Sequence, residues 1–329
     1  MAPGLTADAA LDRLVAWNDL DELVREVDRR TAGGDWDGLV RLRDRCRAAL
    51  ERGLQLWPAA SLAEYRLALH APGPYAAAVV GEGAGRFALG PLAEVAASTH
   101  RWAELAPHLA DGPQAGIVAH ERVVRGEDLS GEPVPFADVL SVPLSIQPWE
   151  PEWPLATYAD DKVDAPRPQL PSLARVGLPP AGEPVDDDDA DAALRAVVQP
   201  WVAQSNGRVQ VAVVERTAAA AIAALGVATA RLAELPAAEA LAQLAWAGAS
   251  GGAHGRRRGA ATGRHLAWAV AAALAGVDPP DLEADALAAL RWYAWDDNLP
   301  ELGWSLRLAA DHPGEGMAWA IAASDVAEG

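Results

Sequence analysis

The sequence predicts an α+β fold, predominantly helical, on three observations. The first 125 residues read as one amphipathic helix after another. Residues 126–190 lose that periodicity to proline and acid, and residues 191–329 mix alanine-rich helical windows with β-branched or alternating runs. The expected architecture is an N-terminal α-helical repeat-like domain (1–125), a Pro-rich acidic extended connection (126–190) and an α+β domain (191–329). The last of these carries a small antiparallel sheet and ends in a β-hairpin.

In the first stretch, Trp17–Leu20, Trp36–Leu39 and Trp102–Leu105 share the pattern Trp-x-x-Leu, and each is read as the start of a helix. Asp35, closing the loop TAGGD, is the expected N-cap of the second, because its carboxylate can accept from the helix's first free N–H groups. Trp36 and Trp102 lie 66 residues apart, about two periods of a helical hairpin repeat. On these residues the segment resembles HEAT or tetratricopeptide arrays, although the spaced Gly, Tyr and Pro of the tetratricopeptide signature are absent. No functional residue follows from the resemblance.

The middle stretch concentrates charge. Residues 126–192 hold 3 basic and 15 acidic side chains, so −12 of the formal net charge of −19 falls there. That field opposes nucleic acid, and direct duplex-DNA binding ranks low. The run PWEPEWP at 148–154 alternates prolines with Trp149 and Trp153 and favours an extended path. Two readings follow: the tryptophans staple the chain to its own groove, or they present a ligand to a partner domain. Asp186 to Asp189 precede a helix expected to begin near Asp191, where acidic side chains favour the positive end of the helix dipole.

In the last stretch, Arg208–Glu215 is β-branched after Asn206-Gly207 and predicts a strand. Helices are expected at about 217–232, 237–248, 256–275 and 282–295. Trp304, Leu306 and Leu308 form one alternate-residue set, and Met317, Trp319 and Ile321 form another. With the turn HPGEG between them they predict a hairpin that can pair with 208–215.

The candidate site is GGAHGRRRGAATGRH at 251–265. Read as helix, Gly251, Gly255, Gly259 and Gly263 form a ridge that admits a neighbouring helix. On the same reading His254, Arg257, Arg264 and Trp268 share a face, with Arg258 beside it. Guanidinium forks suit phosphates and carboxylates, so this face is the candidate for an anionic small molecule such as a nucleotide or phosphorylated metabolite. The alternative is that the arginines are solvated or paired with the acidic residues at 183–191. The cluster WYAWDDN at 292–298 offers aromatic walls beside Asp296 and Asp297, which suits either a cation or a packed core.

Other chemistry is not signalled. Cys46 is the only cysteine, and the seven histidines lack metal-site spacing, so no metal and no cofactor is expected. No phosphate-binding loop with a Gly-Lys-Ser/Thr ending occurs, and Gly81, Gly83 and Gly85 make only a weak dinucleotide fingerprint. Catalytic residues are therefore unassigned. No membrane span or secretory leader is read from the sequence. The expectation is a cytoplasmic interaction or adaptor protein with a protein partner, with Trp149 and Trp153 as interaction residues. The competing expectation is an enzyme or ligand sensor using the 251–268 segment.

Overall fold

The computed structural model describes residues 3–81, 83–298 and 303–326, with side chains from residue 9 onward. The chain divides into two compact units. Unit 1 comprises Met1–Arg125, Pro133–Ala137 and Thr157–Asp164, and unit 2 comprises Gly126–Glu132, Asp138–Ala156 and Ala165–Gly329. The stretch 126–190 is thus shared between the two units, because short pieces of it pack back onto each core.

Unit 1 is helical, with α1 (Pro3–Trp17), α2 (Leu20–Gly33), α3 (Trp36–Leu50), α4 (Trp57–His70), α5 (Gly73–Ala78), α6 (Leu92–Thr99), α7 (Trp102–Leu105) and α8 (Pro113–Val123). A two-residue ladder, β1 (Thr157–Tyr158) with β2 (Val163–Asp164), completes it. Asp35 caps α3 as expected, accepting from Gly38 N at 3.0 Å. Helix α4 is buried along most of its surface and packs against α2, α3, α5 and α6, with Ala63 and Leu67 fully enclosed. Trp17 departs from expectation: it closes α1, and Asp19 caps the next helix, leaving the indole 70% exposed.

Unit 2 is α+β. Its helices are α9 (Asp188–Val197), α10 (Gln199–Ala203), α11 (Ala218–Ala224), α12 (Ala237–Ala249), α13 (Ala260–Ala275) and α14 (Ala284–Ala288). Its strands are β3 (Ala174–Gly177), β4 (Arg208–Glu215), β5 (Thr229–Leu235), β6 (Arg291–Asp296), β7 (Trp304–His312) and β8 (Met317–Asp325). They form one six-stranded antiparallel sheet in the order β3-β5-β6-β7-β8-β4. Leu194, Leu244 and Leu274 of α9, α12 and α13 meet Trp292, Ala310, Trp319 and Ile321 across one face. On the other face α11 packs on Val214, Ala309, Ala318 and Ala320.

The hairpin β7–β8 and its pairing with β4 follow the sequence expectation, Leu308 facing Ile321 and Val211 facing Ile321 from the other side. Two helices do not reach their expected ends. The 217–232 helix stops at Ala224, Gly226 turns the backbone with φ +83°, and Thr229–Leu235 becomes an interior strand. The 282–295 helix shrinks to α14, and Arg291–Asp296 becomes β6. Its run of Trp292, Tyr293 and Trp295 is β-favouring, and sheet burial outweighs the helical preference of the alanines before it.

Candidate functional site

The residues most conspicuous in the sequence brace the interior of unit 2. Arg264 and Glu150 are both fully buried at the side chain and form a bidentate pair, Nε to Oε2 and Nη2 to Oε1, each 2.7 Å. Arg264 also donates to the carbonyls of Pro143 and Ser145 at 2.8 Å. Glu150 accepts in addition from Trp153 Nε1 and Gln147 N, both at 2.9 Å. Trp149 packs on Trp268 with ring centroids 4.8 Å apart, and the Arg264 guanidinium lies 5.6 Å from the Trp268 ring. The PWEPEWP run is therefore pinned to α13 by one enclosed ion pair between two ring contacts. Arg264 pairs with Glu150, not with the acidic residues at 183–191.

Arg258 meets helix ends instead of a carboxylate. Its Nε donates to Gly248 O at 2.7 Å, Nη1 donates to Ala196 O at 3.1 Å, and Nη2 donates to Val197 O. These carbonyls belong to the last turns of α12 and α9, whose dipoles carry partial negative charge there. One side chain thus caps two helices. Burial pulls its pKa down to about 10. Arg257 is half-buried and His254 is exposed.

The expected helix over 256–275 begins only at Ala260, after Gly259 with φ +100°. The four-residue glycine spacing therefore does not form one helical ridge: of the four glycines, only Gly263 lies in the helix. A Cβ on Gly263 would sit 2.3 Å from Ala245 O, so this glycine sets the close approach of α13 to α12. His265 is half-buried and its Nδ1 has no hydrogen-bond partner among the described residues. Desolvation lowers its pKa, so the unfolded chain takes up a proton that the folded chain resists. Stability from this group is full above the unfolded pKa of about 6.5 and falls as the pH drops through it. Denaturant titrations between about pH 7.5 and pH 5 should show a steeper loss for the native chain than for His265→Gln. Equal slopes would remove His265 from the account.

The remaining aromatic and acidic residues of the sequence candidates are also engaged. Trp292 and Trp295 are core residues. Asp296 pairs with Arg231, and Asp297 pairs with Arg307. Cys46 is enclosed in unit 1, and burial raises its thiol to about 12. In that unit a cavity of about 550 Å³ is lined by Asp28, Thr31, Trp36, Arg66, His70 and Asp160. His70 Nε2 lies 2.6 Å from Asp160 Oδ1, and this hydrogen bond holds the Asp160 carboxyl below its usual range. Arg66 donates to Asp160 O and to Asp28 Oδ1 at 2.7 and 3.0 Å. Thr31 Oγ1, the hydroxyl in that lining, donates to Val27 O at 2.9 Å. The cluster ties the β1–β2 turn to α4.

Unit 2 has an open edge, which the sequence reading did not single out. Strand β4 ends the sheet. The segment Glu183–Val185 covers only its far half: Val185 N donates to Val213 O at 3.1 Å, and Glu215 N donates to Glu183 O at 3.0 Å. Outward groups recur every second residue along a strand, so the N–H and C=O of Val209 and Val211 point the same way. Among the described residues neither has a backbone partner on that side. Beside this edge a cleft of about 350 Å³ is lined by Pro184, Asp186, Asp187, Asp188 and Asp191 at the start of α9 and by Val211–Val214, and it reaches Ala224 of α11. On the opposite face a groove of about 370 Å³ is lined by Arg208, Gln210, Trp295, Asp297 and Arg307.

Fold and geometry together define an α+β protein in which helices precede an antiparallel sheet, and half of the edge strand β4 has no backbone partner among the described residues, beside an acidic cleft. The chain belongs to DUF6183, a family of unknown function whose profile matches residues 21–327. No curated protein and no solved structure matches it. Among the described residues no helix is long and apolar enough to cross a membrane, and no group of three or more His, Cys, Asp or Glu is placed to hold a metal ion.

Proposed function

We propose that this chain is a cytoplasmic interaction or adaptor protein, with a helical repeat-like N-terminal unit, that recruits a protein partner by strand addition at β4. The observation that carries the reading is the pair of residues Val209 and Val211, whose outward backbone donors and acceptors lack a partner among the described residues. An open edge of this kind is a template for an incoming strand, and soluble proteins generally cover or blunt such edges. Four main-chain hydrogen bonds would supply affinity without a deep pocket. The tryptophans of the PWEPEWP run are engaged with Arg264, Glu150 and Trp268, so they support the frame of the surface and not the contact itself.

The competing reading, an enzyme or sensor holding an anionic small molecule at 251–268, draws less support. Arg258 and Arg264 aim their donors at internal carbonyls and at Glu150. The test is affinity capture from the source organism's extract with native and Val211→Pro chains side by side. Proline is tolerated on the solvent side of an edge strand but removes the outward N–H. A partner retained by the native chain and lost from the variant, with both melting alike, is the expected result. Identical captured sets would sink strand addition at β4.

A further inference from the structure

We infer that the segment received by β4 is an extended strand with Lys or Arg at alternate positions and uncharged or acidic residues between them. The inference rests on strand addition at β4 and names the chemistry of its partner. Side chains of an added strand alternate between the two faces of the sheet. On the face covered by α9, the neighbours of Val211 and Val213 are Ile321 and Trp319. The N-terminus of α9 reaches this face, where Asp187 Oδ2 accepts from Trp319 Nε1 at 3.0 Å. Partner side chains on that side enter the cleft lined by Asp186, Asp188 and Asp191.

On the opposite face the Arg307–Asp297 pair is neutral and the net charge lining the groove is that of Arg208. Arg208 is exposed there and Gln210 lies beside it, with Arg307 in the same groove held by Asp297 at 2.8 Å. A basic residue is attracted on one side of the edge and repelled on the other, so a charge pattern of period two fits where a uniformly basic run does not.

The test is an NMR titration of the full chain with three synthetic extended peptides, carrying Lys, Gln or Glu at every second position and Thr between. The Lys peptide should shift the Val209 and Val211 amides and bind about tenfold more tightly than the Gln peptide, a preference that salt erodes. The Glu peptide should not bind. Asp186→Asn with Asp188→Asn should bring Lys and Gln peptides to similar affinity; neither residue caps α9, a task that falls to Asp187. Val211→Pro and Val209→Pro should each abolish binding of the Lys and Gln peptides.

If the native chain binds the Lys and Gln peptides equally and the proline variants bind neither, the charge pattern is wrong while strand addition stands. If the proline variants bind the Lys peptide as the native chain does, or if no peptide shifts the β4 amides, both readings fall. If the native chain dimerises without peptide and the proline variants do not, the occupant is a second copy and the basic segment is overturned.

Discussion

Arg264→Met and Glu150→Leu, made separately, should each destabilise unit 2 by about 3–5 kcal/mol, because each leaves an uncompensated charge in a fully enclosed site. The double variant should cost less than the sum of the two single changes, although it leaves the Pro143 and Ser145 carbonyls and the Trp153 and Gln147 donors without these partners. Two apolar side chains of similar volume remove the desolvation cost that the pair carries, so the cycle is strongly non-additive. Tryptophan fluorescence during urea unfolding is a suitable readout, since Trp149, Trp153 and Trp268 all surround the pair. Single losses below about 1 kcal/mol, or simple additivity, would contradict a buried keystone here.

Arg258→Met should cost about 2–3 kcal/mol, the scale of losing charge-assisted hydrogen bonds to half-buried carbonyls. The physical content is that α9 and α12 both end on this one guanidinium. Arg258→Lys should recover only part of the loss, since a single ammonium cannot span the carbonyls of Ala196 and Gly248 as a planar fork does. Amide exchange should then quicken in the last turns of both helices together. Faster exchange in only one of them, or full recovery by lysine, would mean that the double cap is not what holds these ends.

Several features were legible because their cause is local. Asp35 follows a loop and caps the helix after it, and the aspartates at 186–189 sit at a helix start, which comes at Asp188 and not near Asp191. Alternating Trp304, Leu306 and Leu308, and then Trp319 and Ile321, specify a hairpin because a strand has only two faces. The α+β class follows from these periods. Where the periods are ambiguous the reading failed: Thr229–Leu235 and Arg291–Asp296 look helical beside their alanines and become strands because the sheet offers them neighbours. The candidate site was located by composition, and composition marks where arginines are concentrated but not whether their donors are used.

By itself, the sequence determined the α+β class, the hairpin, the Asp35 cap and the acidic middle stretch, all read from residues within a few positions of one another. Only the tertiary structure decided that Glu150 reaches Arg264 across 114 positions and that Arg258 ends two helices. It also decided that β4 lies at the edge of the sheet, with the outward backbone groups of Val209 and Val211 lacking a partner among the described residues. The physical reason is that a hydrogen bond or ion pair between distant residues is set by how whole elements pack. An open edge, likewise, is a property of strand order that no single strand carries.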